Sequence, residues 1–441
     1  MDNSHINQSL IAGELKTPGV LPHLEQLTTL PVVFEQNFGL DELPIEPGII
    51  LIRGPRQYGK STWLEQHIAK TIKTFGKGTA LYLNGDEIKD SNELLDQISI
   101  LIQLFSPKAK VKRLFIDEIT AIVGWEKAIK RLADAGILKN ILVVTTGSKA
   151  ADLRRGIERL PGRKGKLSRT NYIFTPVSYK EFKQKCENIF KEDTLFAYIL
   201  SGGSPVGANA LVEFGRIPEY VNAIVSDWVF GEFAASGRSR AHLLAVLQIL
   251  YRLAGTPIGQ AKLARESGLS NNTIAQGYIE LLSDLITIIP SFPFDPQKQT
   301  SLFRKPSKYH FINLLAALCW HPQKPRTILE LKNLNKDLGP VFEWVVAQEI
   351  SRKLCISSAD LPTHLNFWQS KDHEIDFFLP DQSLYLEVKV GQTSPTEFLW
   401  FLKSFKKEYL LVISKNRFET ERIIGITLED FLLKDTLDFS K

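Results

Sequence analysis

A chain of 441 residues is too long for one compact core and divides into roughly two to four domains. Its 23% charged and 44% hydrophobic residues describe an ordinary folded protein and exclude a disordered one, and no apolar run approaches the roughly 18 residues of a membrane helix. The net charge of +5 is mild at this length, so any nucleic-acid surface must be argued from local clusters.

The N-terminus, "MDNSHINQSLIAGELKTPG", lacks the basic start and apolar run of a secretion signal. Cys186, Cys319 and Cys355 are far apart and show neither CxxC nor Cys/His spacing, so no disulfide framework or zinc site is indicated. Together these features predict a cytoplasmic protein with no membrane partner. Residues 1–45 carry few periodic signals and read as a leader segment packed against the domain that begins at residue 46.

From residue 46 the pattern changes. The strand "GIILIRG" runs into a helix from Ser61, and strands 79–86, 113–118 and 140–148 then alternate with helices. Each strand is a nearly continuous apolar run, as in a parallel sheet covered on both faces. "GPRQYGKST" (Gly54, Pro55, Arg56, Gln57, Tyr58, Gly59, Lys60, Ser61, Thr62) matches GxxxxGK[ST] in full, between that first strand and the helix. In such a loop backbone N–H groups point at phosphate oxygens, Lys60 reaches the β- and γ-phosphates, and the Ser61 hydroxyl ligates Mg²⁺. "RLFIDE" supplies the complementary carboxylates, Asp117 for the magnesium and Glu118 for the attacking water. The paired carboxylates favour hydrolysis of ATP over phosphate transfer to a small acceptor. At the end of the next strand, "VVTTGS", any of Thr145, Thr146 or Ser148 is placed to sense the γ-phosphate. The fold class is therefore α/β, a P-loop parallel-sheet ATPase core over 46–175.

A basic stretch at 149–170 comes next, then a helical lid over 176–235. Over 236–322, three helices and a β-hairpin spell a winged helix. Its third helix offers Asn271, Asn272, Thr273 and Gln276 to a partner but ends with acidic Glu280 and Asp284. Positive charge is supplied by Lys262, Arg265, Lys298, Arg304, Lys305 and Lys308. In the last segment, 323–441, "HEIDFFLPDQSLYLEVKVG" reads as a hairpin turning at "PDQS". Residues i and i+2 of a strand share a face. Asp376, Glu387 and Lys389 would then converge, as Mg²⁺- or Mn²⁺-assisted phosphodiester hydrolysis requires. The bland alternative is charge on a solvent face.

The motifs "GPRQYGKST", "FIDEI" with Trp125 downstream, "TTGS", "LPGR", "TPVSYKEF" and "LSGGSP" resemble the archaeal-type ATPases of the AAA superfamily. That resemblance implies a winged helix followed by a C-terminal α/β restriction-endonuclease-like domain of PD-(D/E)XK type. It matches Asp376, Glu387 and Lys389 to the family's D…ExK core, although Ile375 stands where the fuller pattern has Pro. It also implies Glu343 as a further acidic metal ligand, so the implied metal set is Ser61 and Asp117 in one site and Glu343, Asp376 and Glu387 in the other. Arg163 of "LPGR" would complete a neighbouring subunit's ATP site in a homo-oligomer. Two functions emerge as expectations. One is an ATPase that binds nucleic acid, DNA ahead of RNA, and cleaves it. The other is an ATP-controlled switch or scaffold whose last domain only binds. A metabolic P-loop kinase explains neither of the last two segments.

Overall fold

The computed structural model describes residues 2–148, 165–358 and 362–438. They form two compact units, Met1–Thr175 with Cys355–Leu361, and Pro176–Leu354 with Pro362–Lys441.

The first unit is built on five parallel strands, β1 (Gly48–Arg53), β2 (Ala80–Asn84), β3 (Arg113–Asp117), β4 (Leu142–Gly147) and β5 (Asn171–Ile173), ordered β2-β3-β4-β1-β5. Their unbroken apolar runs reflect the period of two, with both faces covered. Ile49, Leu51, Leu114, Ile116 and Val143 enter a core with helices Ser91–Leu101 and Trp125–Asp134. The alternate residues Ile50, Ile52, Phe115, Leu142 and Val144 enter a second core with helices Asn3–Ala12 and Lys60–Phe75. Each fully buried side chain of this size contributes about 1.5–3 kcal/mol. The strand order sets β4 between β1 and β3, so its carboxyl end lies between the phosphate loop and Asp117.

The expected leader forms helices of its own, Asn3–Ala12 and Pro22–Leu27. The first covers the sheet edge. Asn7 donates to the Tyr82 carbonyl (2.6 Å) and accepts from the Tyr82 N–H (2.8 Å), while Asn3 accepts from the Asn84 N–H (2.7 Å). These amides satisfy β2 groups that would otherwise offer a template to another strand. Arg113, buried at the start of β3, donates to Thr71 Oγ1 and to the Leu43 and Pro44 carbonyls, tying the leader's end to the sheet.

The second unit opens with helices Tyr179–Phe190, Thr194–Ser201, Pro205–Phe214 and Glu219–Ala235. Three more succeed them, Arg240–Arg252, Gln260–Glu266 and Asn272–Asp284, the last capped by the Asn271 side chain. Strands β6 (Ile288–Asp295), β7 (Thr300–Ser301) and β8 (Lys308–Phe311) come next, and helix Leu338–Ser357 leads to the C-terminal strands. These are β9 (Leu365–Gln369), β10 (Glu374–Leu379), β11 (Leu384–Val388), β12 (Tyr409–Ser414), β13 (Phe418–Glu419) and β14 (Ile423–Thr427). All nine strands share one sheet, because β6 pairs in parallel with β9. The expected boundary at 322/323 therefore runs through a common sheet. Among the described residues, no helix is long and apolar enough to cross a membrane.

Candidate functional site

The phosphate loop has the backbone its sequence demands. Gly59 sits at φ +100° immediately before helix Lys60–Phe75, a conformation glycine adopts without strain. Gly54 packs so closely on Phe174 that a Cβ would lie 2.7 Å from the Phe174 Cβ. Tyr58 is buried in the core and anchors the loop, whereas Arg56 and Gln57 are exposed and Ser61 and Thr62 are partly exposed at the helix start. The Lys60 ammonium is buried and donates to the carbonyls of Gly54 (3.1 Å) and Pro55 (2.9 Å), so the loop curls around a fixed positive charge. Burial lowers the Lys60 pKa, and the charges of Glu118 and Asp117 work against that shift.

Asp117 ends β3 and is buried. The Thr146 hydroxyl donates to Asp117 Oδ1, and the Glu118 N–H donates to Thr146 Oγ1 (3.2 Å). Glu118 lies at φ +46°, a strained position for a residue with a side chain, and its Oε2 accepts from both the N–H (3.1 Å) and the hydroxyl (2.9 Å) of Ser148. Thr145 turns to the Ile50 carbonyl in β1 (3.1 Å). Of the three polar residues left open at the end of β4, Thr146 therefore meets Asp117 and Ser148 meets Glu118. Arg163 lies outside the described residues, as does most of the basic 149–170 stretch.

In the second unit, β10 and β11 bring Asp376, Glu387 and Lys389 together beside a register shift between Ile375 and Phe378. The Asp376 N–H donates to Glu387 Oε2 (3.3 Å), and the Val388 N–H donates to Asp376 Oδ2 (2.9 Å). Lys389 donates to Glu387 Oε1 (2.6 Å). The cluster also holds two residues not assigned to it from the hairpin's own sequence. Lys308 of β8, counted with the positive residues offered to a partner, is only 1% exposed. Its ammonium lies 2.5 Å from Glu374 Oε1 and 3.3 Å from Asp376 Oδ1. Glu343 faces the same charges from helix Leu338–Ser357, and its buried Oε2 has no hydrogen-bond partner.

Burial, then the Asp376 charge, pushes the Glu343 carboxyl up to about 8 and the Glu387 carboxyl up to about 7. Lys308 pays a desolvation cost, yet Asp376, Glu343 and Glu374 hold its pKa above the ordinary lysine value. A divalent ion does not fit this arrangement. The Asp376 and Glu387 oxygens that would face it face ammonium groups instead. Among the described residues, no group of three His, Cys, Asp or Glu side chains is placed to hold a metal.

The residues of the segment expected to form a winged helix are similarly divided. Asn272 and Thr273 are exposed, whereas Asn271 is spent on the helix cap and Gln276 donates to Glu280 (3.2 Å). Lys262, Arg265, Lys298, Arg304 and Lys305 are not buried, in contrast to Lys308.

Residues 46–183 match a family model described as an AAA domain. In this part the chain is similar to AAA-type P-loop ATPase domains. Over 358 residues the chain is 25% identical to MJ1544, an uncharacterized protein of Methanocaldococcus jannaschii, covering 77% of this chain and 74% of that one. Among solved structures it is similar to the Walker-type ATPase paby2304 of Pyrococcus abyssi, at 13% identity and a TM-score of 0.42, over 68% of this chain and 94% of that one. It is also similar to Cdc6p of Pyrobaculum aerophilum, at 16% identity and a TM-score of 0.28, over 62% of this chain and 90% of that one. Each motif of the 46–183 segment is a run of consecutive residues and can be read directly. Lys308 gives no such signal, because it comes just after exposed Arg304 and Lys305 and meets Asp376 68 residues away.

Proposed function

We propose that the chain is a Mg²⁺-dependent ATP-hydrolysing switch whose C-terminal α/β domain engages nucleic acid without cutting it. One observation carries the ATPase part: a buried Lys60 inside the glycine-turned loop, with Asp117 and Glu118 each fixed by a residue at the end of the intervening strand β4. Lys60 and the loop N–H groups would hold the phosphates, and Ser61 and Asp117 are the residues that would hold Mg²⁺. The donor set fits that ion, whose chemistry is to neutralise phosphate charge. Glu118 takes the proton of the attacking water once it leaves Ser148.

ATP turnover tests this directly. Lys60→Ala should abolish it, and Glu118→Gln should lower it by about 10²–10⁴-fold, the range for a positioned base. Undiminished turnover in either variant would remove the assignment. For the C-terminal half, a winged-helix reading of 236–322 and a nuclease-like reading of 323–441 are supported by the helix and strand succession and by the exposed cations of the wing. Binding to short DNA and RNA duplexes and single strands, measured against salt, should weaken when Arg304 and Lys305 are both changed to Ala. Unaltered binding would exclude the wing as the contact.

The convergence of Asp376, Glu387 and Lys389 would suit metal-dependent scission only if Lys308 did not occupy Asp376, so scission is the outcome that would overturn the binding reading. Incubating supercoiled, linear and branched DNA, and RNA, with Mg²⁺ or Mn²⁺ tests it. Cleavage lost in Asp376→Ala would overturn the binding reading, and intact substrates with ATP still hydrolysed would support it.

A further inference from the structure

The cluster around Asp376 is closed by a lysine from a distant strand. Lys308 leaves β8 and ends between Glu374 and Asp376 of β10, its ammonium 5.3 Å from the centre of the Phe367 ring in β9. Long charged side chains are almost never fully buried unless paired, and this one is 1% exposed. Asp376 has one oxygen on the Val388 N–H and the other on Lys308, and Glu387 has one on the Asp376 N–H and the other on Lys389.

We propose that the Lys308 ammonium is the resident cation of this cluster, standing where a divalent ion would sit against Asp376 and latching β8 to β10. Compensation by a tethered lysine differs from compensation by a metal in two ways. It is present at every metal concentration, and removing it leaves two carboxylates without their partner. The inference needs no nucleic acid and no ATP turnover, so it stands or falls apart from the proposed function.

Nucleotide-free full-length protein is titrated with Mn²⁺, and the free ion is read by electron paramagnetic resonance. Wild type and Asp376→Asn should bind alike, because the cluster takes no ion. Lys308→Met should gain one Mn²⁺ per chain and lose it again in Lys308→Met/Asp376→Asn, while Lys308→Arg should gain none. An ion bound by wild type and lost in Asp376→Asn would overturn the proposal, as would a folded Lys308→Met that gains none. If Lys308→Met does not fold by circular dichroism, the triple variant Lys308→Met/Glu374→Gln/Asp376→Asn decides. The uncompensated carboxylates are then the cause, so their neutralisation should restore the fold. Failure to restore it would refute the latch.

Discussion

Thr145 and Thr146 are adjacent in β4, yet their hydroxyls serve opposite faces of the sheet. Thr146 donates to Asp117, the residue proposed to hold Mg²⁺, whereas Thr145 bonds the Ile50 carbonyl. A partner that orients a metal ligand typically governs affinity by about 10–100-fold. Thr146→Val should therefore raise the Mg²⁺ concentration for half-maximal ATP turnover by about that factor, and Thr145→Val should leave it unchanged. Equal effects from the two would show a packing role only. His310 makes a separate point about burial. Both ring nitrogens are buried without partners, the ring packs 4.9 Å from Phe377, and burial, then the Lys308 charge, pushes its pKa down to about 3 from 6.5. The folded state keeps the ring neutral below pH 6.5, while the unfolded chain takes up a proton. Stability from this group is thus complete above pH 6.5 and is lost as pH falls toward 3, at about 1.4 kcal/mol per pH unit. Urea unfolding at pH 7, 6 and 5 should show a shallower decline for His310→Phe than for wild type, and parallel declines would remove the argument.

Among the elements, edge strand β2 shows what a covering helix does. Asn7→Ala would leave the N–H and carbonyl of Tyr82 without these partners, at about 1–3 kcal/mol for an unsatisfied group. The first unit should lose that much stability, and the Tyr82 amide should exchange faster with solvent. Unchanged protection at Tyr82 would mean that the helix covers the edge without these bonds. This pairing is not legible in the sequence, since Asn7 and Tyr82 are 75 residues apart and neither carries a local motif. The same limit hides Lys308, whose strand β8 is buried at all four positions and so offers no alternation to read. What is legible is local. Continuous apolar runs mark β1, β3 and β4, and the turn at Pro380–Gln382 with Ser383 at φ +48° makes the β10–β11 hairpin. Period two then places Asp376 beside Glu387. Whether a lysine or an ion meets them depends on a strand encoded far upstream.

At the scale of the whole molecule, an ATP site completed by one chain and one completed by two make different predictions. Arg163, outside the described residues, is assigned by resemblance to a neighbouring subunit's site, and a mixing experiment tests that role without a structure of the assembly. Lys60→Ala has no working phosphate loop but keeps Arg163. Arg163→Ala has a working loop but no arginine to lend. In a head-to-tail assembly of equal amounts, roughly a quarter of the interfaces would pair a sound loop with a sound arginine by chance. Turnover of the mixture should then rise to roughly a quarter of the wild-type rate, although each variant alone is far below it, and dilution should abolish the gain. If Arg163 acted within its own chain, no mixture could unite it with a working loop, and the rate would stay at the average of the two variants at every concentration. The first outcome requires ATP sites shared between subunits, and the second requires a self-sufficient chain in which the switch is intramolecular.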